Sequence, residues 1–563
     1  MSFTIDRRSF LGAAASVIPT SRALAATSTL DVRNYDALTD EQLGASNHVV
    51  RIATQPEGEW YGMGISSYQG GDEGYRWQIG WWLQPLAITQ YRLPAYRELY
   101  KRSFEGFLAK MAHRDSWSYW EAESMGVATR DTLGVPGRDK PTADPIARDN
   151  INYSANTMNL MAMHQMLYRD GKYLQPNSFA LKHWTKDGLE VFGYDLPKIA
   201  QVLYDGFAET QWRGVACEVN GVYPAYCNQL ALVAFKQYDQ LLSGDMGARL
   251  IANHVRAWQE HSDLYRVGTH VPGGREPFIP RAYYVKQGAM VAMGDTMMSS
   301  AAYVNAWNAA WVEENYPYWK KRFTVTDGVM SVKLEPEVRG GHLHHNPYSP
   351  AANQADNWQS PGTPEKGETP PFYFYAAISA AEMGDGELLG NIRGHAAKFN
   401  NQATWKGSEF FYDRNERTGP ARMSRGGAVL MTAAHLVEKD SFRKLYNLPL
   451  TEADVHTPQI EGVDWPNILV RRAVFDKQRQ ALVVTLLSAA SLRDSKAAAV
   501  DTRFAIANLD PRKTYAISCD GAAIGRVRGN TVLDGADRLQ FADGKLIVGT
   551  RLGTDRSFIA QAV

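Results

Sequence analysis

The run Gly214-Val215-Ala216-Cys217-Glu218-Val219-Asn220-Gly221-Val222-Tyr223-Pro224-Ala225-Tyr226-Cys227-Asn228-Gln229 holds two of the three cysteines in the chain. It reads as a loop, because Asn220-Gly221 is a turn signal and Pro224 is barred from a helix interior. A helix follows at once: Leu230, Leu232, Val233, Phe235, Tyr238 and Leu241-Leu242 recur at helical spacing. Cys227 therefore opens a helix, where free N–H groups and the helix dipole favour a thiolate. Two plainer readings stand beside a functional thiol pair. The cysteines could form a simple disulfide, which an exported protein permits, or either could be an inert buried thiol. No second cysteine pair or histidine cluster flanks the loop at metal-ligand spacing.

The helical period extends outward from this loop. Residues 75–113 read as a helical hairpin, with Trp77, Trp81, Trp82, Leu86 and Ile88 on the first arm. Tyr96, Leu99, Tyr100, Phe104 and Phe107-Leu108 mark the second, and Leu93-Pro94 lies between. Residues 150–168 form another helix, polar at its start (Asn150, Asn152, Tyr153, Asn156, Asn159) and apolar beyond. Polar residues gathered at one end of an apolar helix suit the mouth of a helical barrel. Further helices are expected near 194–210, 227–243, 246–262, 299–314, 372–399 and 426–437. Residues 30–74 read as an irregular arm, 117–121 as an aromatic loop and 278–289 as extended. Pairs of helices joined by polar loops indicate an α/α toroid, although periodicity alone leaves an α-solenoid open.

After about residue 458 the period changes. Ile468-Leu469-Val470, Ala481 to Leu486, Thr502 to Ile506, Lys513 to Ile517 and Lys545 to Val548 are short apolar or alternating runs separated by Gly, Asp and Asn turns. They predict a small C-terminal β-sandwich of about a hundred residues. Cys519 falls inside it and reads as a buried structural thiol.

At the other end, Asp6-Arg7-Arg8-Ser9-Phe10-Leu11-Gly12, an apolar stretch and Ala23-Leu24-Ala25 have the order of a twin-arginine signal peptide. The apolar part is too short and Ala-rich to span a membrane. The expected organisation is a signal peptide over 1–26, a catalytic domain over 27–445 and a β-domain over 458–563, with the mature protein periplasmic and without a stable membrane anchor. Sixty basic residues balance sixty acidic ones. That balance gives no electrostatic case for nucleic acid or anionic membranes. The chain's 15 Trp and 28 Tyr supply apolar walls with polar tips, though most such side chains fill cores.

Two other stretches carry candidate chemistry. Gln55-Pro56-Glu57-Gly58-Glu59-Trp60-Tyr61-Gly62-Met63-Gly64 concentrates carboxylates, aromatics and glycines, suited to acid–base work as well as to a solvated turn. Gly340-Gly341-His342-Leu343-His344-His345 has the look of a metal site but lacks a carboxylate at matching spacing, so no metal is expected. Residues 346–371 read as a lid or insertion loop, because the helical pattern resumes after them.

Several motifs resemble those of the linalool dehydratase/isomerase family. They are Asp144-Pro145-Ile146 with Asp149-Asn150-Ile151-Asn152-Tyr153, Asn159-Leu160-Met161, and Gly214 to Glu218 with Cys227-Asn228. Ala302 to Trp307 and Ala381-Glu382-Met383-Gly384-Asp385 complete the set, all in the family's order over roughly residues 50–440. The resemblance implies an (α/α)6 barrel, a periplasmic location, no cofactor, homo-oligomers, and water removal from or 1,3-transposition in allylic terpene alcohols. By it Cys217 and Cys227 are the catalytic pair, Glu218 the adjacent carboxylate and Tyr303 the pocket tyrosine. Tyr75, Tyr153, Asn156 and Trp120 are expected to line the substrate. The departures are specific. The inter-cysteine loop is one residue longer, and Asn156 or Thr157 stands where the family has a histidine. Glu57, Glu59 and Tyr61 are the nearest equivalents of its arm residues, and the β-domain and the 346–371 insertion are extra.

The implied chemistry is coherent. Hydroxide leaves poorly, so an acid must protonate it as the C–O bond breaks; the allylic system spreads the positive charge, and a base then takes a neighbouring proton. Thiols can exchange protons in both directions, and aromatic faces stabilise a cation without trapping it. The rival class is an exported polysaccharide lyase or glycoside hydrolase, which would recruit Asn156, Tyr303 and His342, or two facing carboxylates among Glu57, Glu121, Glu218 and Asp149. A non-enzymatic binding protein is a third reading. The partner expected on the favoured reading is a small apolar alcohol.

Overall fold

The computed structural model describes residues 30–64, 74–130, 141–217, 221–260, 264–268, 279, 282–284, 289–291, 296–332, 374–415 and 423–563. The side chains of residues 125–130, 217, 282, 284, 289–291, 296–297 and 331–332 are outside that description, as are the signal-like N-terminus, Glu218, the His342 cluster and the 346–371 insertion.

The helices follow the caps and periods of the sequence. α1 (Asp40–Ala53) starts with a capping box in which Thr39 and Gln42 satisfy each other's backbone N–H. α2 (Tyr75–Arg92) and α3 (Glu98–Ala112) make the expected hairpin, followed by short α4 (Arg114–Trp117) and α5 (Tyr119–Arg130). Asn150 caps α6 (Ile151–Tyr168), and Asp195, followed by Pro197, starts α7 (Leu196–Glu209). α8 (Cys227–Leu242), α9 (Met246–Gln259), α10 (Thr296–Trp307) and α11 (Ala309–Lys320) come next. α12 (Tyr375–Met383), α13 (Gly386–Lys398), α14 (Arg425–Ala433), α15 (Ser441–Asn447) and α16 (Glu452–Val455) close the helical part.

Six of these helices pack in cyclic order: α2 on α6, α6 on α8, α8 on α10, α10 on α12, α12 on α14, and α14 on α2 again. A further helix packs on most of them, with α3 on α2 and α6, α7 on α6, α9 on α8, α11 on α10 and α13 on α12. Burial matches the two roles. α6 is buried on all sides from Ile151 through Leu167, whereas α7 buries only the stripe Leu196, Ile199, Ala200, Leu203 and Phe207. Gly80 and Asn156, each the sixth residue of its helix, touch so closely that a Cβ on Gly80 would fall 2.3 Å from Asn156 Oδ1. Near their other ends Tyr168 of α6 donates to Gln90 of α2 at 3.4 Å, so α2 and α6 run in the same direction, with their N-termini at one end of the molecule.

The strands before residue 440 are short. β1 (Phe179–Thr185) and β2 (Gly188–Tyr194) form a hairpin. β3 (Ala216–Cys217), β4 (Gly221–Val222), β5 (Ala282–Tyr284) and β6 (Ala289–Val291) form a four-stranded sheet. β7 (Phe323–Thr326) with β8 (Val329–Val332), and β9 (Thr404–Lys406) with β10 (Glu409–Phe411), are two more hairpins. The C-terminal region is rich in sheet: β11 (Gln459–Glu461), β12 (Ile468–Asp476), β13 (Ala481–Ser488), β14 (Val500–Ala507), β15 (Thr514–Cys519), β16 (Ala522–Arg528), β17 (Thr531–Asp534), β18 (Leu539–Ala542), β19 (Lys545–Leu552) and β20 (Arg556–Ala562). Their orders are β11-β14-β19-β18 and β12-β13-β20-β15-β16-β17, all antiparallel. Phe504 of the first sheet meets Phe558 of the second, ring centroids 5.1 Å apart. Cys519 is a buried free thiol at the end of β15.

Several expectations need correction. The arm over 30–74 is not wholly irregular, because α1 occupies its middle, with Leu43, Val49, Val50 and Ile52 buried. The stretch 117–121 is not a loop, since α4 and α5 run through it. The helix expected over 299–314 breaks at Asn308, whose backbone is non-helical and whose side chain donates to the Tyr265 carbonyl at 3.2 Å. That over 372–399 breaks at Gly384, in the left-handed region, and Asp385 then caps α13. Of the extended stretch 278–289, the described part contains β5 and the start of β6. The hairpins β1–β2, β7–β8 and β9–β10 had no reading in the sequence.

Candidate active site

Tyr226 immediately precedes α8 and is buried at the N-terminal end of the six-helix ring. Four aromatic side chains surround its ring: Trp77 at 5.7 Å, Trp81 at 6.4 Å, Tyr303 at 5.4 Å and Tyr375 at 6.3 Å between centroids. Trp81 also meets Tyr375 edge-on at 5.5 Å. These groups come from α2, α10 and the start of α12, so the cluster exists only because the ring brings those helices together. Cys227, the first residue of α8, is 3% exposed and packs in the same core.

The backbone of Cys217 is held beside this helix. Asn228 accepts from the Val215 N–H at 2.8 Å and donates to the carbonyls of Val215 (3.1 Å) and Tyr223 (3.0 Å). A single amide thus pins the residue before β3 to the first turn of α8, and β3 pairs with β4 through Ala216–Val222 and Cys217–Gly221.

Below the aromatic cluster lies a polar layer. The Tyr303 hydroxyl points to Gln84 Oε1 at 3.5 Å; Gln84 donates to the Tyr446 hydroxyl at 3.1 Å, and Tyr446 donates to Asn159 Oδ1 at 3.0 Å. Burial pushes the phenols of Tyr226, Tyr303 and Tyr446 well above their ordinary range, and for Tyr226 the neighbouring Tyr303, Tyr375 and Cys227 add to the shift. These tyrosines are therefore proton donors and dipoles at neutral pH, not phenolate bases. Phe442 of α15 meets Tyr303 edge-on at 5.2 Å. Glu382, fully buried on α12, accepts from Asn305 Nδ2 (2.8 Å) and from the N–H groups of Phe442 (2.8 Å) and Arg443 (3.1 Å). Burial holds its carboxyl up to about 7 despite these donors.

The remaining expected site residues fall into two groups. Asn156 is buried facing α2 at Gly80; it donates to Asn152 at 2.9 Å, and among the described residues its Oδ1 has no hydrogen-bond donor. Tyr153 is one turn earlier, but its hydroxyl is taken by the Met111 carbonyl at 2.5 Å, on the side of α3. Trp120, buried in α5, packs with Tyr119 in a small separate cluster. Tyr75, first residue of α2, stacks on Trp60 of the arm at 3.9 Å with rings within 6° of parallel. Trp60 in turn donates to Asp115 at 3.1 Å and lies under the Lys110 ammonium at 4.8 Å. Burial lowers Lys110 to about 8, and it donates to the carbonyls of Pro56 and Glu59. The arm is thus fastened by Trp60, while Glu57 and Glu59 are exposed and Tyr61 points outward to Lys406.

Glu105, His164 and Asp170 place potential metal-ligand atoms within 4.8 Å of one another at the far end of α6. Their carboxylates already pair with Lys172 at 2.9 Å and Lys101 at 2.8 Å, so a cation would have to displace two ammonium groups.

Sequence reading did not select Trp77, Trp81, Gln84, Tyr226, Tyr375, Phe442 or Tyr446 as site residues. A signal existed for three of them: Trp77, Trp81 and Gln84 recur at i, i+4 and i+7, so they share one face of α2. Tyr446 sits on a short helix far along the chain and carries no local pattern.

Residues 76–418 match the sequence model of a family described as linalool dehydratase/isomerase. No curated protein matches the chain significantly. Among solved structures, a GH127 β-arabinofuranosidase is similar at 11% identity over 93% of this chain and 76% of its own, with a TM-score of 0.27.

Proposed function

The chain belongs to the linalool dehydratase/isomerase family, and from that membership we propose that it is a cofactor-independent dehydratase/isomerase of allylic alkenols, of the linalool and geraniol type or shorter. In this reading the thiols of Cys217 and Cys227 are the acid–base pair, Glu218 sits beside them, and Tyr303 holds the alcohol or the departing water. One thiol donates a proton to the hydroxyl as the C–O bond breaks. The electron pair leaves with water, the allylic cation forms against the faces of Trp77, Trp81, Tyr226 and Tyr375, and a base removes a proton from the adjacent carbon to give the diene. Return of water at the far allylic carbon gives the transposed alcohol. Every step moves protons and one electron pair, without net oxidation or reduction.

The observation that carries this reading is the aromatic enclosure around Tyr226, directly next to Cys227. Aromatic faces suit a short-lived hydrocarbon cation. Tyr75, Asn156 and the arm residues Glu57, Glu59 and Tyr61 are proposed to complete the substrate end, with Tyr153 and Trp120 in the shell behind it. The six helices in cyclic order, most with a further helix packed on them, are read as an (α/α)6 barrel spanning 27–445, and the two facing sheets as a β-sandwich over 458–563. Export through a twin-arginine signal over 1–26 to the periplasm, a homo-oligomeric state and the absence of a membrane anchor belong to the same proposal. Among the described residues no helix is long and apolar enough to cross a membrane.

The test is direct. Reduced protein is incubated with linalool, geraniol, short alkenols and uronic polymers, and products are identified by mass. Dienes or transposed alcohols are expected; turnover of the polymers alone would overturn the proposal.

A further inference from the structure

Among the described residues, the hydroxyl of Tyr226 is the one tyrosine hydroxyl that is shut off from solvent and has no hydrogen-bond partner. It points toward Tyr303, whose ring stands edge-on at 5.4 Å between centroids, without reaching hydrogen-bond distance. The backbone around it is held on both sides. Gln229 donates to the Pro224 carbonyl at 3.0 Å, Ser300 of α10 donates to the Ala225 carbonyl, and the Tyr226 carbonyl accepts from the Gln229 and Leu230 N–H groups at 3.0 and 3.3 Å. A buried polar group left unpaired costs stability, and native structures rarely keep one without a use. Here the chain fixes the residue and leaves its hydroxyl open, next in sequence to Cys227.

Tyr303 is under the opposite constraint. Asn159 Oδ1 accepts from the Tyr446 hydroxyl at 3.0 Å, and the Tyr446 oxygen accepts in turn from Gln84 Nε2 at 3.1 Å. With its amide nitrogen on Tyr446, Gln84 presents its carbonyl oxygen to the Tyr303 hydroxyl, at 3.5 Å. A carbonyl oxygen can only accept. The single Tyr303 hydrogen is therefore drawn toward Gln84, and its oxygen lone pairs are what remain for a ligand. Two neighbouring phenols thus offer opposite polarity, a hydrogen on Tyr226 and lone pairs on Tyr303. Burial raises both above their ordinary range, so each keeps its proton at neutral pH.

An alcohol has the matching pair, lone pairs and one hydrogen on the same oxygen. We propose that Tyr226 is a further catalytic residue whose hydroxyl donates to the substrate oxygen while Tyr303 accepts from its O–H, and that Gln84 and Tyr446 are the positioning residues that hold Tyr303 in the accepting role. This rests on the alkenol reading above. Tyr226 transfers no proton. A thiol supplies it, the C–O electron pair leaves on the oxygen as water, and the charge gathering on that oxygen as the bond stretches strengthens the Tyr226 hydrogen bond in the transition state. The ring of Tyr226 stays beside the allylic cation, so one side chain serves both oxygen and carbon. The pair also selects alcohols over ethers, because an ether has lone pairs for Tyr226 but no hydrogen for Tyr303.

The experiment uses the wild type, Tyr226→Phe, Tyr303→Phe and Gln84→Met. Each is read by linalool turnover, by a thermal melt, and by tryptophan fluorescence on binding two unreactive probes, the saturated analogue of linalool and the methyl ether of that analogue. Tyr226→Phe is expected to lower kcat by about tenfold to a hundredfold, at or below the scale of one oxyanion-hole donor. Its melting temperature should hold or rise, because an unpaired buried hydroxyl is removed; a fall would mark the hydroxyl as structural and overturn the assignment. It should weaken both probes alike, since both carry the lone pairs that Tyr226 meets. Tyr303→Phe should erase the preference for the alcohol over the ether. Gln84→Met should shrink that preference with Tyr303 still in place, a change that a merely structural role would not produce; Tyr446→Phe gives the same readout if the methionine variant does not fold. An active wild type with Tyr226→Phe at full kcat overturns the Tyr226 assignment alone. A preference erased in Tyr226→Phe and kept in Tyr303→Phe reverses the polarity and overturns the roles given to Tyr303, Gln84 and Tyr446. A wild type that turns over no alcohol and binds neither probe overturns the alkenol reading itself.

Discussion

Cys227 stands between two kinds of neighbour, the aromatic enclosure and the loop that carries Cys217. If the thiols exchange protons with substrate, Cys227→Ala should lower turnover by about 10²-fold or more, the scale of one lost acid or base. Its melting temperature should hardly move. Cys519→Ala is the matched control, since that thiol is buried in the sheet region, where burial lifts it to about 11; turnover should be unchanged. A structural disulfide between the paired cysteines predicts the reverse, a loss of about 2–4 kcal/mol in either single mutant with turnover retained. Turnover and melts of the three variants, with and without reductant, separate these outcomes. At this scale the sequence was informative where chemistry is local. A cysteine opening an apolar helix is visible in one turn of chain, and so is the Trp77-Trp81-Gln84 stripe. Tyr446 was not, because its partner Asn159 lies 287 residues away and nothing nearby in the chain requires a tyrosine there.

Among the elements, the arm before α2 has a buried anchor and exposed chemistry. Replacing Glu57, Glu59 and Tyr61 together should change stability little, within about 0.5 kcal/mol per site as for other surface positions. Turnover should nevertheless fall if they serve the substrate end, and full activity in the triple variant would remove the arm from the mechanism. α9 makes a prediction about acid. His254 donates through Nδ1 to the Trp212 carbonyl at 2.8 Å, and burial pushes its pKa down from 6.5 to about 4. Between those values the unfolded chain binds the proton and the folded one does not, so stability is lost as pH falls through this window. One such histidine contributes on the order of 3 kcal/mol by linkage, and His395, also lowered to about 4, acts in the same direction. Urea unfolding of His254→Gln from pH 7 to pH 4 should show a shallower acid loss than the wild type. The element boundaries that sequence reading missed share a cause. α10–α11 carries apolar residues almost straight across its junction, so hydrophobic period could not see that break, whereas Gly384-Asp385-Gly386 between α12 and α13 is a turn signal that period alone does not weigh. The non-helical backbone of Asn308 and the left-handed Gly384 make the two breaks. β7–β8 and β9–β10, with strands of three or four residues, are too short for an alternating pattern to stand out, whereas the seven-residue strands of β1–β2 around Asp187-Gly188 carry a hairpin signal that helical period does not weigh.

On the scale of the whole molecule, helices and sheets are not separate bodies. Ala95, in the turn between α2 and α3, donates to the Ala473 carbonyl of β12 at 3.0 Å and accepts from the Ile460 N–H of β11 at 2.8 Å. Arg471 bonds the Leu38 carbonyl, Asp40 and Asp555. A single apolar core runs from Leu43 and Leu93 to Ile460, Val484 and Phe504. The change of hydrophobic period near residue 458 therefore located the sheets correctly but said nothing of this shared interior, which depends on partners more than 350 residues apart. Urea unfolding should give one transition when followed by tryptophan fluorescence and by far-ultraviolet circular dichroism. A chain ending at residue 457 should fail to fold, and two resolved transitions or a soluble, cooperative fragment would contradict the shared core. One feature of the larger sheet bears on biosynthesis. β20, the last strand in chain order, is inserted in its middle, flanked by β13 and β15. During vectorial synthesis the ribosome releases the helical ring first, yet the platform beneath the α2–α3 turn stays split until β20 emerges. The nascent protein must wait, with apolar strand edges unpaired, until β20 is synthesised, which makes that interval the one in which a chaperone would be needed most.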